Sequence, residues 1–228
     1  QTVSGFTASG LVGGETASVL TGVSASRTEK NAGTYVTTAS GTDGNYNLSF
    51  VNGSMVINKA ALTATGNSAQ VTYNGATQTV GGLTVSGLQG SDTVSSLSTV
   101  VALGAAGQNA GSYTNTVTAG PETNYTVATV NGSLAIAKAN ATVTANSATL
   151  TYNGGNQTVS GFTASGLVGG ETASVLSGVT ANRTEKNAGT YATTASGTDG
   201  NYNLTFVDGS MVIHKAALTV QANNDAKF

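Results

Sequence analysis

Three sets of side chains recur in step along the chain and could carry chemistry. Glu15, Asp92 and Glu171 form one set, Lys59, Lys138 and Lys215 a second, and Asn31, Asn109 and Asn187 a third. A carboxylate, a lysine and an asparagine are the groups that an intramolecular isopeptide bond needs. More simply, the acid sits in the first turn of a short helix, where the helix dipole favours it. The lysine then protects an exposed strand, and Asn-Ala-Gly shapes a loop. His214 is the only histidine, and Asn58 holds its place in a near-identical copy. It is expected on a solvent-facing strand, and no Cys or His cluster offers zinc ligands.

Asp43-Gly44-Asn45 and Asp199-Gly200-Asn201 look like parts of calcium loops. Calcium wants roughly six to eight oxygens, but each loop has one acid, and the middle copy reads Pro121-Glu122-Thr123-Asn124. A turn closed by an Asx-type hydrogen bond is the expectation. Tyr35, Tyr113 and Tyr191 follow Ala-Gly-Thr/Ser, while Tyr46, Tyr125 and Tyr202 follow an asparagine. Their rings could stack on sugars, but a chain with no Trp and few Phe must use tyrosines in its core. No residue is assigned to catalysis, to a cofactor or to a metal, so the expectation is a protein that is not an enzyme.

The elements that position these groups follow from an internal repeat. Residues 1–62 recur as 157–218 with seven differences. A diverged copy lies between them, anchored by Gln78-Thr79-Val80, Ala110-Gly111-Ser112-Tyr113 and Asn131-Gly132-Ser133. A period of this length makes each copy a small folded unit in an array. The expected boundaries are 1–59 for a first repeat that lacks its opening segment, 60–138 and 139–215 for the second and third, and 216–228 for the start of another. Ile57-Asn58-Lys59-Ala60, Ile136-Ala137-Lys138-Ala139 and Ile213-His214-Lys215-Ala216 join the units without a Gly/Ser linker. Such joints favour a semi-rigid rod.

Within each copy, short Thr- and Val-rich runs alternate with turn residues, which reads as β. Residues 45–51 alternate polar and apolar, then Asn52-Gly53 precedes Met55-Val56-Ile57. This predicts a hairpin closed by a two-residue type I′ turn, repeated at Asn131-Gly132 and Asp208-Gly209. A second turn is expected at Tyr73-Asn74-Gly75 and Tyr152-Asn153-Gly154. Gly14-Glu15-Thr16-Ala17-Ser18-Val19-Leu20 and its counterparts from Ser91 and Gly170 predict one short helical turn. The fold class is mainly β: tandem β-grasp-like or sandwich-like modules, each with one helical turn, in an elongated array.

Composition narrows the function. Charged residues are 8% of the chain, far below the usual quarter or so, and the net charge is −2. No basic patch favours nucleic acid or anionic lipid. No apolar run of about 18 residues suggests membrane insertion. The sequence opens at Gln1 partway through a repeat and shows no signal peptide, as expected for part of a longer protein.

The ordered motifs Tyr-Asn-Gly, Gln-Thr-Val-Ser-Gly-Phe, Gly-Glu-Thr-Ala, Asn-Ala-Gly-Thr-Tyr, Asn-Tyr, Val-Asp-Gly-Ser and Ile-x-Lys-Ala cover essentially the whole chain. They resemble the MBG/YDG-type repeats of large filamentous-haemagglutinin-like adhesins that bacteria export by two-partner secretion, biofilm-matrix adhesins among them. The resemblance implies an extracellular, secreted or cell-surface protein without catalysis. A stalk or spacer supporting adhesion and aggregation is expected, with extracellular polysaccharide or other adhesin molecules as partners. Alternatively, the repeats are weak glycan- or protein-binding modules that act by avidity. The middle copy reads Ala105-Ala106-Gly107-Gln108 where its neighbours read Arg-Thr-Glu-Lys, so a ligand contact there would not be shared.

Residues 217–224 align with 61–68. If this segment opens a repeat, the first repeat has an unpaired sheet edge and head-to-tail self-association is expected. If it closes the preceding repeat, it folds back on the third.

Overall fold

The computed structural model describes residues 1–224, so the last four residues of the expected segment 216–228 lie outside the described residues. The chain divides into two compact units. One comprises residues 1–67, 82–103 and 116–132, and the other 68–81, 104–115 and 133 to the end of the described residues.

The second unit contains the whole third repeat. Its opening strand, Ala139–Ala145, is the centre of a three-stranded sheet, parallel to Tyr202–Val207 and antiparallel to Phe162–Ser165. A five-stranded sheet runs in the order Ala148–Thr151, Gly209–His214, Gly189–Gly197, Val179–Glu185, Gln157–Ser160. Its first pair is parallel and the other pairs are antiparallel. The period-2 alternation of the opening strand buries Ala139, Ala141, Val143 and Ala145. They share one core with Val179 and Ala195 of the larger sheet and with Tyr202. Leu176 joins this core from the end of a three-residue 3₁₀ turn, Ala173–Val175. Strands Gly111–Asn115, Gly132–Ala137 and Ala69–Thr72 form another sheet of this unit, beside the pair Ala105–Gly107 and Gln78–Val80.

In the first unit, Ala60–Gly66 lies between Tyr125–Val130, parallel, and Leu83–Ser86, antiparallel. Leu62, Ala64, Leu97, Val117 and Tyr125 form its core. The first repeat contributes an antiparallel sheet of Thr2–Ser4, Val23–Thr28 and Ala39–Gly41, and the pair Gly33–Thr37 with Gly53–Ile57. The helical turns Ala17–Val19 and Val94–Ser96 match that of the third repeat. The protein is therefore mainly β, built from tandem modules of small sheets. The segments 60–66 and 139–145 pair with strands that follow them.

The structure corrects the expected hairpins at Asn52-Gly53, Asn131-Gly132 and Asp208-Gly209. Tyr202–Val207 and Gly209–His214 lie in different sheets, so Asp208 carries the chain from one sheet to the other. Residues 46–51 of the first repeat form no strand. Gly53, Gly132 and Gly209 all lack a positive φ, which a type I′ turn requires. At Gly132 and Gly209 glycine is needed for another reason, that the backbones touch, while at Gly53 only the Thr37 side chain lies close. A Cβ on Gly209 would lie 2.3 Å from the Ala145 carbonyl oxygen and 2.6 Å from that of Asn146, and one on Gly132 would lie 2.2 Å from that of Asn67. The other expected turn does hold a positive φ, at Gly75 and Gly154.

Replacing Gly209 by Ala should therefore cost about 1–3 kcal/mol through overpacking against fixed backbone. Gly209→Asn, which a positive-φ turn would tolerate, should be at least as damaging. Gly200→Ala, with open space at its Cβ, should leave thermal unfolding unchanged or slightly raised. A Gly209→Asn protein as stable as the parent by circular dichroism would contradict the close approach.

Candidate interaction site at the repeat joints

The periodic acid, lysine and asparagine sets come together where one repeat meets the next. The lysine is fixed first, because it sits between the closing strand of one repeat and the opening strand of the following one. Lys59 Nζ donates to the Glu122 carbonyl oxygen at 2.6 Å, and Lys138 Nζ to that of Asp199 at 2.7 Å. Beside each lysine an asparagine pair closes the joint. Asn124 Oδ1 accepts from the Ala32 amide at 2.8 Å while its Nδ2 donates to Asn31 Oδ1 at 3.1 Å. Asn201 repeats this with the Ala110 amide at 2.9 Å and Asn109 Oδ1 at 3.1 Å. The backbone adds a bond from Ala60 N to Asn124 O, and from Ala139 N to Asn201 O, each 2.9 Å.

The loop presenting each asparagine is built from its own sequence. Asp199 Oδ1 accepts from the amides of Asn201 and Tyr202 at 2.7 and 3.0 Å, and Asp43 does the same for Asn45 and Tyr46. This is an Asx-type turn. In the middle repeat Glu122 turns inward instead. Its carboxylate accepts from the amide and hydroxyl of Thr99 at 2.8 and 2.7 Å. Those Thr99 bonds hold its pKa below the ordinary glutamate value.

The acids do not cap the helical turns, which carry no acid in their first turn. Each binds the tyrosine that follows the joint asparagine. Tyr46 Oη donates to Glu15 at 2.5 Å, Tyr125 to Asp92 at 2.6 Å and Tyr202 to Glu171 at 2.5 Å. Each hydroxyl also accepts a backbone amide, from Val12, Gln89 and Val168 respectively. In the second unit Glu171 takes another phenol. Tyr73 of the preceding repeat donates to its other carboxylate oxygen. The Tyr73 ring meets Tyr202 edge to face, with centroids 5.4 Å apart. Gly169 makes room, since a Cβ there would lie 3.2 Å from the Gly75 Cα. In the first unit Asp92 and Tyr125 instead line a cavity of about 750 Å³.

Of the rings expected in the core, Tyr125 and Tyr202 are buried, as is Tyr73 of the turn, whereas Tyr35, Tyr46, Tyr113 and Tyr191 are only half-buried. Tyr35, Tyr113 and Tyr191 donate to the carbonyls of Asn31, Asn109 and Asn187. Arg27 and Arg183 pair with Glu29 and Glu185 and lie 5.6 and 5.5 Å over the rings of Tyr35 and Tyr191. In the middle repeat the Tyr113 ring lies instead against Gly107, where a Cβ would approach it to 2.1 Å. His214 ends an exposed strand position.

Small two-sheet modules that latch to their neighbours through periodic side chains define a tandem β-repeat protein. The model of the MBG domain (YGX type) matches residues 2–56, 62–135 and 141–212, and the chain belongs to this family. No curated protein matches the chain.

The phenols respond to alkali. The bond to Glu171, then burial, pushes the Tyr73 hydroxyl up to about 12. The bonds to Glu15 and Asp92 raise Tyr46 and Tyr125, and burial followed by Glu171 raises Tyr202. A folded-state pKa above the ordinary 10.0 means the contribution is complete below pH 10. It is lost as pH rises from there through about 12. Alkaline titration followed by circular dichroism should show structure lost in that window. Tyr73→Phe should lower stability at neutral pH by about 1.5–3 kcal/mol, the usual worth of a hydrogen bond to a charged group, and flatten the alkaline slope. An unchanged unfolding curve at both pH values would show that the Tyr73–Glu171 bond contributes nothing.

Proposed function

We propose that the chain is a spacer segment of a bacterial surface or biofilm-matrix adhesin, supporting adhesion and aggregation from outside the cell. MBG repeat domains are found in adhesin-like repeat proteins. One observation supports the spacer role most directly: the same lysine, asparagine and backbone bonds recur at both joints. At these joints Lys59, Lys138, Asn124 and Asn201 are occupied by the neighbouring repeat. A spacer needs this arrangement, because load or reach passes through every joint.

The competing role is a binding module that gains by avidity. The Arg–Tyr pairs at Arg27 and Arg183 are its best candidate contacts. Offered to arrays of bacterial and host polysaccharides, the 228-residue protein should give no saturable binding. Saturable binding that Arg27→Ala with Arg183→Ala removes would replace the spacer by the binding module. For the joint itself, Lys138→Met with Asn201→Ala should raise hydrogen exchange at the Ala139 amide by roughly tenfold or more, the effect of losing one or two charge-assisted bonds. Unaltered exchange would mean the latch does not hold the repeats.

A further inference from the structure

Four Asn-Gly pairs occur in the chain, beginning at residues 52, 74, 131 and 153. The pair is chemically distinctive, because glycine has no side chain to shield its own amide nitrogen from the carboxamide beside it. The fold sorts the pairs by what holds them. Asn52-Gly53 and Asn131-Gly132 each run into a strand. Gly132 is buried, and the Asn67 and Gly66 carbonyl oxygens lie 2.2 and 2.5 Å from the place of its Cβ. The Asn131 side chain is fixed as well, since its Oδ1 accepts from the Val117 amide at 2.9 Å. Turning this backbone to bring the Gly132 nitrogen onto the carboxamide would drive it into those carbonyls.

Asn74-Gly75 and Asn153-Gly154 lie outside every strand, and both asparagines are exposed. Asn74 Oδ1 accepts from the Ala76 amide at 3.0 Å, and Asn153 Oδ1 from the Gly155 amide at 2.9 Å. Each bond folds the carboxamide over the glycine amide that lies between. It also puts a donor on the oxygen where negative charge gathers when a nucleophile adds to Cγ, as donors do in an oxyanion hole. The first of these turns sits at a joint. A Cβ on Gly169 of the third repeat would lie 3.0 Å from the Asn74 carbonyl oxygen and 3.2 Å from the Gly75 Cα. The preceding residue is Tyr73, which donates to Glu171 and packs edge to face on Tyr202.

We propose that Asn74 is a self-modifying site, whose slow deamidation lengthens the main chain at the joint between the second and third repeats and loosens it. The Gly75 nitrogen adds to Asn74 Cγ, and the bond from Cγ to Nδ2 breaks. The side-chain nitrogen leaves as ammonia, taking the Gly75 amide proton with it. The cyclic imide that results adds water at either carbonyl. One opening gives aspartate. The other gives isoaspartate, in which the main chain runs through Cβ and Cγ and gains an atom. Water is the only co-reactant. Gly75 and Gly169 already meet, so the added atom moves the turn, and Tyr73 moves with it. The inference goes beyond the spacer role and stands whether or not the repeats bind a glycan.

Storage of the 228-residue protein in mildly alkaline buffer tests this, followed by peptide mapping that separates aspartate from isoaspartate. Asn74 and Asn153 should lose their amides about tenfold or more faster than Asn131, because a nucleophile held out of line reacts far more slowly. Equal rates at Asn74 and Asn131 overturn the site. So does an Asn74 that stays intact in the folded protein while the same residue reacts in urea. The effect on the joint is read in an Asn153→Ser protein, where the second turn cannot react. Its isoaspartate fraction should exchange the Ala139 amide about tenfold or more faster than unreacted protein, as expected when a local opening becomes easier. Asn74→Asp, which adds the charge without the chain atom, should exchange at the parental rate. Parental exchange in the isoaspartate form overturns the loosening, and exchange in Asn74→Asp as fast as in the isoaspartate form overturns chain lengthening as its cause.

Discussion

The second and third repeats each depend on long-range parallel pairing between the strands that open them and the strands that close them. In the third repeat Ala139–Ala145 runs beside Tyr202–Val207, and Ala148–Thr151 beside Gly209–His214. Parallel neighbours cannot be joined by a tight turn, so everything between them must fold outward and return. The two chains then cross together from one sheet to the other, at Asn146-Ser147 and at Asp208. The Ser210 amide donates to Ser147 Oγ at 2.9 Å there. Gly209 marks the point where the backbones meet, and for that reason a side chain is not tolerated. Because entry and exit strands are parallel, the chain leaves a repeat in the direction in which it entered. The next opening strand can follow after one or two residues, and the joint needs no linker.

That geometry decides where the few charges go. With Lys138 alone between Gly132–Ala137 and Ala139–Ala145, its ammonium must lie at the joint, and the nearest acceptors are carbonyls of the following repeat's Asx loop. The acids are tied up by phenols rather than by lysines. Among the described residues no buried side-chain nitrogen or oxygen lacks a partner. A joint built from neutral phenols, amides and one ammonium per repeat loses little to salt screening, which acts mainly on exposed ion pairs. Its weak point is instead the ionisation of the phenols.

Much of the fold was legible in the sequence. The period, the β character, the helical turn and the Asx loops all leave local signals: near-identical copies, Thr/Val alternation, apolar residues three to four apart, Asp-Gly-Asn. The hairpins were misread because Asn-Gly carries the same residues for two different reasons. A positive φ and a close backbone contact both select glycine, and only the strand pairing separates them. The joint was half legible. The acid, lysine and asparagine sets were visible as periodic triplets, but their partners were not. Lys138 and Asp199 are 61 residues apart, and Tyr73 and Glu171 are 98 apart. No spacing rule within one repeat reveals a bond between two. The available clue was the period itself, since three unlike groups that keep step with the joint have reason to meet at it.

The first and third repeats separate local preference from tertiary context. Residues 46–51 and 202–207 differ only by Ser49 for Thr205, and both begin with the same Asx loop and the same Tyr–Glu bond. Yet 202–207 is a strand and 46–51 is not. One methyl group does not account for this, because strand propensity scales span only about 1 kcal/mol in total. The difference lies in the neighbour: Ala139–Ala145 supplies backbone partners to one segment, and none of the described strands supplies them to the other. Tyr202 is fully buried beneath its strand, whereas Tyr46 is only half-buried. The Asx loop and the phenol–acid bond are thus present in the first repeat without the strand.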